Sequence, residues 1–141
     1  MSHLIDTNVI SELRKGKRCD ARVAAWFGGV DNDEFFLSVL TIGEIRRGIE
    51  SIGRRNRKSA SVLNKWLLEL IESFNDRILP IDRAIAEEWG KLNVRHTLPV
   101  IDGLLAATAQ VRGLTVVTRN TKDITRTGVS CLNPFLPSVP T

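Results

Sequence analysis

Ser2-His3-Leu4-Ile5-Asp6-Thr7-Asn8 opens the chain with a short apolar run that stops on an acid and then turns toward helix. The same grammar returns three times. Phe35-Phe36-Leu37 leads through Ser38 and Thr41 to Glu44, Leu98-Pro99-Val100-Ile101 leads into Asp102, and Thr115-Val116-Val117 leads through Thr118-Arg119-Asn120 to Asp123. Open α/β sheets bind ligands in the crevice outside the carboxyl ends of their strands. Acids at strand ends, or early in the helices that follow, therefore converge on one pocket. Several carboxylates gathered without a histidine repel one another unless a cation sits between them.

Working outward, strand and helix alternate. A strand over Ser2–Ile5 precedes a helix from Thr7 to about Arg14, which Gly16 ends. Asp20 caps a second short helix carrying Val23, Ala24, Trp26 and Phe27. Gly28-Gly29 and Asp31-Asn32-Asp33 turn the chain into a strand at Glu34–Ser38, and a helix runs from Thr41 to about Ile52. Beyond a basic link at Gly53–Lys58, the spacing of Val62, Leu63, Trp66, Leu67, Leu70, Ile71 and Phe74 predicts a long amphipathic helix. A strand at Arg77–Ile81, a helix from Asp82 to about Val94 and a helix from near Pro99 to Gly113 come next. Strands at Thr115–Thr118 and Val129–Leu132 precede a Pro-rich tail, Pro134–Thr141. This alternation predicts a parallel sheet with helices on both faces, its right-handed crossovers putting the acid-bearing loops along one edge.

Length and composition bound the function classes. The 141 residues suffice for one domain with its own core. No apolar run reaches the ~18 residues of a membrane span, and the first residues lack the basic and apolar regions of a secretory signal. Cys19 and Cys131 show neither metal spacing nor a disulfide framework, so a reducing cytoplasm is the expected compartment. The net charge of +4 is modest but clustered. Arg46, Arg47, Arg54, Arg55, Arg57 and Lys58 are opposed only by Glu50. Arg14, Lys15, Lys17 and Arg18 form a second group, and Arg112, Arg119, Lys122 and Arg126 a third. Basic clusters beside an acidic pocket suit a polyanion, although charge runs also serve simply as solvated faces.

Each acid has a structural reading as well. Asp6 can be a helix N-cap, Thr41-Ile42-Gly43-Glu44 has the form of a capping box, and Asn120-Thr121-Lys122-Asp123 resembles another cap. Asp102 falls in a first helical turn, where the helix dipole favours an anion. The local contexts turn the balance toward a site. Leu4-Ile5-Asp6-Thr7-Asn8-Val9-Ile10-Ser11-Glu12 resembles the opening of PIN-domain nucleases, in particular the VapC and FitB-type toxins. Leu37 to Ile49, around Glu44, is similar to the family's second acidic motif. Asp102-Gly103-Leu104-Leu105-Ala106-Ala107-Thr108-Ala109 resembles the third and Val116 to Asp123 the fourth, with Asn133-Pro134-Phe135 like the ending of FitB-type members. The motifs stand in family order along nearly the whole chain.

The resemblance implies a three-layer α/β/α PIN-like domain with a central parallel β-sheet, usually homodimeric. It implies RNA cleavage with Mg²⁺ or Mn²⁺ and, for toxins, silencing by a cognate antitoxin. The family's metal-site carboxylates map onto Asp6, Glu44 and Asp102. The fourth position, commonly Asp, falls on Asn120, with Asp123 three residues later. Asn120 can bind metal through its carbonyl or orient a water, and Asp123 can supply charge at longer range; both stay candidates.

The chemistry also follows from residue types. Mg²⁺ is a hard ion that prefers oxygen and takes one or two carboxylates while keeping waters. Asp6 and Asp102, which directly follow apolar residues, are the expected direct ligands, and the longer Glu44 suits a second ion or a metal-bound water. With no histidine or cysteine in any acidic motif, zinc is not expected. Thr7, Asn8, Ser38 and Thr118 are candidate donors to carboxylates or substrate phosphate, and Arg46, Arg47 and Arg119 are candidate phosphate contacts. His3, in a strand, and His96, in a turn, read as structural. The helices flanking the basic link are expected to form an apolar groove for an antitoxin helix. Competing readings are an inactive PIN-like nucleic-acid-binding module, a housekeeping nuclease, and a phosphotransfer receiver. The receiver would want paired acids after the first strand, where Asp6 stands alone.

Overall fold

A computed structural model describes residues 1–137 of the chain; residues 138–141 of the Pro-rich tail lie outside the described residues. Five strands form one sheet: β1 (His3–Ile5), β2 (Phe35–Ser38), β3 (Ile78–Leu79), β4 (Thr115–Val117) and β5 (Cys131–Leu132). Their order is β3-β2-β1-β4-β5 and every pairing is parallel. Central strands of such a sheet are buried on both faces, which explains the unbroken apolar runs of β1 and β4. Alternation along β1 and β4 divides the core in two. Leu4 and Val116 point into one cluster, Ile5 and Val117 into the other.

The helices take opposite faces. On the Ile5 side pack α1 (Thr7–Leu13), α2 (Ala21–Gly28), α3 (Val39–Gly53) and α4 (Arg57–Phe74). On the Leu4 side pack α5 (Arg83–Arg95), α6 (Val100–Arg112) and α7 (Thr121–Arg126). The expected three-layer α/β/α architecture is thus present, and no helix among the described residues is long and apolar enough to cross a membrane.

Local chemistry sets the boundaries. Asp20 caps α2 by accepting from the amides of Arg22 and Val23, and Asp82 caps α5 by accepting from that of Ile85. Gly113 closes α6 at φ +67°, a left-handed conformation that an L side chain enters only with strain. The expected capping box at Thr41 is absent. Ser38 caps α3 instead, accepting from the Leu40 amide at 3.1 Å, so the helix starts two residues earlier and encloses Thr41 in its buried face. Glu44 is thereby freed from a capping role. β3 is shorter than the expected Arg77–Ile81, because Arg77 lies in a 3₁₀ turn and Pro80 has no N–H to extend the ladder.

Helices α5 and α6 approach closely at Gly103, where an added Cβ would lie 3.0 Å from Cδ1 and Nε1 of Trp89. Overpacking of this kind typically costs about 1–3 kcal/mol. Gly103→Ala should therefore lower the thermal midpoint, and pairing it with Trp89→Phe, which trims the ring it meets, should recover part of the loss. An unchanged midpoint for Gly103→Ala alone would show that the α5–α6 contact yields freely.

Candidate active site

The strand order reverses at β1: β2 and β3 extend to one side, β4 and β5 to the other. The segments leaving β1 and β4 consequently part toward opposite faces, and the gap between them is the switch-point crevice where open α/β sheets take ligands. Asp6 follows β1 and Thr118 follows β4, and they meet there. The Asp6 amide donates to Val117 O at 2.9 Å, which continues the ladder one residue beyond the strand.

Asp6 is held from three directions. The Thr7 amide donates to its Oδ1 at 2.7 Å, making Asp6 the cap of α1 as its sequence context suggested. Thr118 Oγ1 donates to Oδ2 at 2.8 Å, and Asn8 Nδ2 approaches the same oxygen at 3.4 Å. Thr118 Oγ1 in turn accepts from the Asn120 amide at 3.0 Å, and Asn8 Oδ1 accepts from the Arg119 amide at 3.2 Å. The loops after β1 and β4 are laced together across this carboxylate. Glu44 reaches the same place from α3, where Thr7 Oγ1 donates to its Oε1 at 2.6 Å. Capping α1 therefore does not remove the Asp6 carboxyl from the crevice.

Asp6, Thr7, Asn8, Glu44, Asp102 and Asn120 line one open cavity of about 560 Å³. Pro99, Val100 and Ile101, at the start of α6, complete an apolar wall. That wall went unrecognised in the sequence, where only the Pro-initiated turn before Asp102 hinted at it. Burial, reinforced by the negative charges of Asp6, Asp123 and Glu44, pushes the Asp102 carboxyl above its usual range. Asp123 adds to the negative charge around Asp102 although it does not line the cavity. Asp123 also approaches Arg126 Nη1 at 4.0 Å. Asn120 occupies the N-cap position of α7 without a side-chain cap bond, contrary to its cap-like sequence, so its amide group remains available to the cavity.

Other candidates are placed elsewhere. Ser38 is fully buried with its hydroxyl turned to the α3 amides. Arg46 donates to Asn64 Oδ1 at 2.8 Å and ties α3 to α4, whereas Arg47 is exposed. The groove between those helices has a mixed lining, with Ile49, Gly53 and Ala60 beside Arg46, Glu50, Arg57, Ser61 and Asn64. Arg119 lies with its guanidinium carbon 3.8 Å from the Phe135 ring centroid. His3 packs edge-on against Trp26 at 5.2 Å, in keeping with a structural role.

The donor set suits a hard divalent cation, since carboxylate, amide and hydroxyl oxygens line the cavity and no histidine or cysteine does. Among the described residues no three His, Cys, Asp or Glu side chains stand close enough to cage an ion alone.

A family model described as PIN domain matches residues 3–129. Toxin FitB of Neisseria gonorrhoeae is 33% identical over 138 residues, covering 94% of this chain and 97% of that protein. VapC ribonuclease Y4jK of Sinorhizobium fredii is 30% identical over 140 residues, covering 96% and 99%. The crystal structure of FitAcB from Neisseria gonorrhoeae superposes with a TM-score of 0.86 at 32% identity, covering 94% of this chain and 98% of that one.

Proposed function

The chain belongs to the PIN-domain family, and on that premise we propose that it is an endoribonuclease, hydrolysing RNA phosphodiester bonds at a carboxylate-held Mg²⁺ or Mn²⁺. The observation that carries this reading is the switch-point cavity, where Asp6, Glu44, Asp102 and Asn120 converge from four separate segments. A relative named as a VapC ribonuclease supports the activity, and one named as a toxin supports a further assignment, to the toxin of a toxin–antitoxin pair.

In this reading Asp6 and Asp102 hold the ion, Glu44 is aimed by Thr7, and Asn120 offers a neutral oxygen beside them. When bound, the ion supplies polarisation of the scissile phosphate and neutralises the charge that develops on it. Thr118 and the Thr7 amide keep the Asp6 oxygens pointed, so little reorganisation is needed when substrate arrives. The antitoxin silences the enzyme by offering an Arg to these same carboxylates, as a guanidinium pairs bidentately with such groups. The protein acts as a homodimer, for which exposed Val94 and Val100 around the α5–α6 turn provide apolar surface. Sedimentation over a concentration series reads that last point, and a monomer throughout would remove it.

The activity is tested by incubating purified protein with structured and unstructured RNA in Mg²⁺, Mn²⁺ or chelator and mapping the new ends. Metal-dependent internal cuts are expected. RNA binding without cleavage under every metal would favour a binding module instead.

Substrate grip is tested separately. Each phosphate contact contributes a log–log salt slope of about −0.7 for single strands. Arg47→Gln, at an exposed position, should flatten that slope while leaving metal affinity unchanged. Arg46→Gln should also loosen the α3–α4 contact through loss of Asn64, and so lower the thermal midpoint. A slope unaltered in both variants would take these arginines out of the RNA path.

A further inference from the structure

A second cavity of about 530 Å³ opens beside the first, at the free edge of the sheet next to β5. We propose that it receives a nucleobase of single-stranded RNA flanking the cleaved phosphate, and so sets sequence preference. The inference rests on the ribonuclease reading above.

Position is the first argument. Asn120 lines the acidic cavity and the next residue, Thr121, lines this one, so a single backbone step separates them. Cys131, Leu132 and Asn133 carry its wall past the carboxyl end of β5, along the same edge as Asp6. β5 is two strands from β1, about 10 Å at ~4.8 Å per strand. Arg119, next to Asn120 in sequence, has its guanidinium stacked on Phe135, and its carbonyl accepts from Asn133 Nδ2, a residue of this cavity's wall, at 3.3 Å. In the proposed complex this cation is a candidate contact for the phosphate that joins the bound nucleotide to its neighbour.

Lining chemistry is the second argument. The volume lies in the range of small-ligand sites, which are mostly apolar with a few placed polar groups. Trp26 supplies an aromatic wall, locked by His3 at 5.2 Å and Phe35 at 5.6 Å between ring centroids. The Arg22 guanidinium makes no ion pair among the described residues and donates to Phe135 O at 3.4 Å. Thr121, Thr125 and Asn133 add hydroxyl and amide groups at the rim. Flat aromatic and guanidinium surfaces with a few hydrogen-bonding groups are how proteins hold unstacked RNA bases.

Ala25 is exposed on α2 and lines the cavity without taking part in catalysis, so Ala25→Phe fills it. Two readouts are taken on the full chain. In cleavage of a randomised RNA pool, the variant should lose base preference at one position beside the cut and raise KM about tenfold, with Mg²⁺ affinity unchanged. In tryptophan fluorescence, an uncleavable 2′-O-methyl oligonucleotide should quench the wild type, and Trp26→Phe or Ala25→Phe should abolish that component. Arg22→Ala, an exposed truncation, carries the same test if the filled variant fails to fold. Wild-type preference and KM in a folded Ala25→Phe, or quenching that persists without Trp26, would overturn the proposal. A wild type that quenches but never cuts RNA would instead overturn the ribonuclease reading and leave the base site standing.

Discussion

Asp102→Asn should reduce RNA cleavage by on the order of 10²–10³ while leaving the fold intact. The substitution preserves shape and removes one charge from the crowded end of the cavity. Its effect on stability should run the other way. The Asp102 carboxyl is pushed above its usual range by burial and by Asp6, Asp123 and Glu44, so its folded pKa exceeds its unfolded one. Stability from such a group is complete below the unfolded pKa and is lost as pH rises through the folded pKa. In metal-free solution the Asn variant should therefore gain stability relative to wild type as pH goes from acid to neutral. Adding Mg²⁺ should reverse the order, because an ion that binds only the folded state stabilises by mass action. Thermal melts of both proteins with and without Mg²⁺ at two pH values check this. Equal cleavage, or a variant that melts lower at neutral pH without metal, would remove Asp102 from the centre of the site.

Thr118→Val is expected to be nearly as damaging although Thr118 carries no charge. Its hydroxyl donates to Asp6 Oδ2 and accepts from the Asn120 amide and from Asn8 Nδ2, and the residue is almost fully buried. Valine keeps the volume and removes all three links. Groups that orient metal ligands typically change affinity or activity 10–100-fold when lost. Metal titration by calorimetry should show a weakening of that size, with a loss of about 1–3 kcal/mol in stability from the stranded polar groups. Thr118→Ser should restore both. Wild-type metal affinity in the valine variant would mean that the Asp6 geometry is maintained by α1 alone.

Sequence patterning conveyed the architecture well because β1 and β4 are continuous apolar runs and the long helices have clean faces. It conveyed less where several physical roles fall on one residue. Thr41 and Glu44 satisfy the capping-box pattern, yet Ser38 competes successfully for the cap and Glu44 turns to Thr7 instead. Nothing local distinguishes these outcomes, since the deciding contact comes from α1. Likewise, the acids were recognisable from their places after apolar runs, whereas the Pro99–Ile101 wall and the β5-edge cavity depend on how distant segments pack. The role of Glu12 depends on distant packing in the same way. It is a buried carboxylate that accepts from the Asp20 amide at 2.9 Å and pairs with Lys15, so it pins the turn between α1 and α2. The short α7 has too few residues to show a helical period.

The lacing of β1 to β4 also has a consequence for the order of events during synthesis. Asp6 and Thr118 are 112 residues apart in the chain, and the central strand has to wait for β4 before its second edge is paired. Contacts of such long range form late, because the intervening loop must first be closed. A ribosome translating this message thus releases a growing polypeptide whose acids remain scattered until nearly all of it has emerged. Any chemistry or binding that needs the assembled carboxylates therefore has to wait until translation is almost finished.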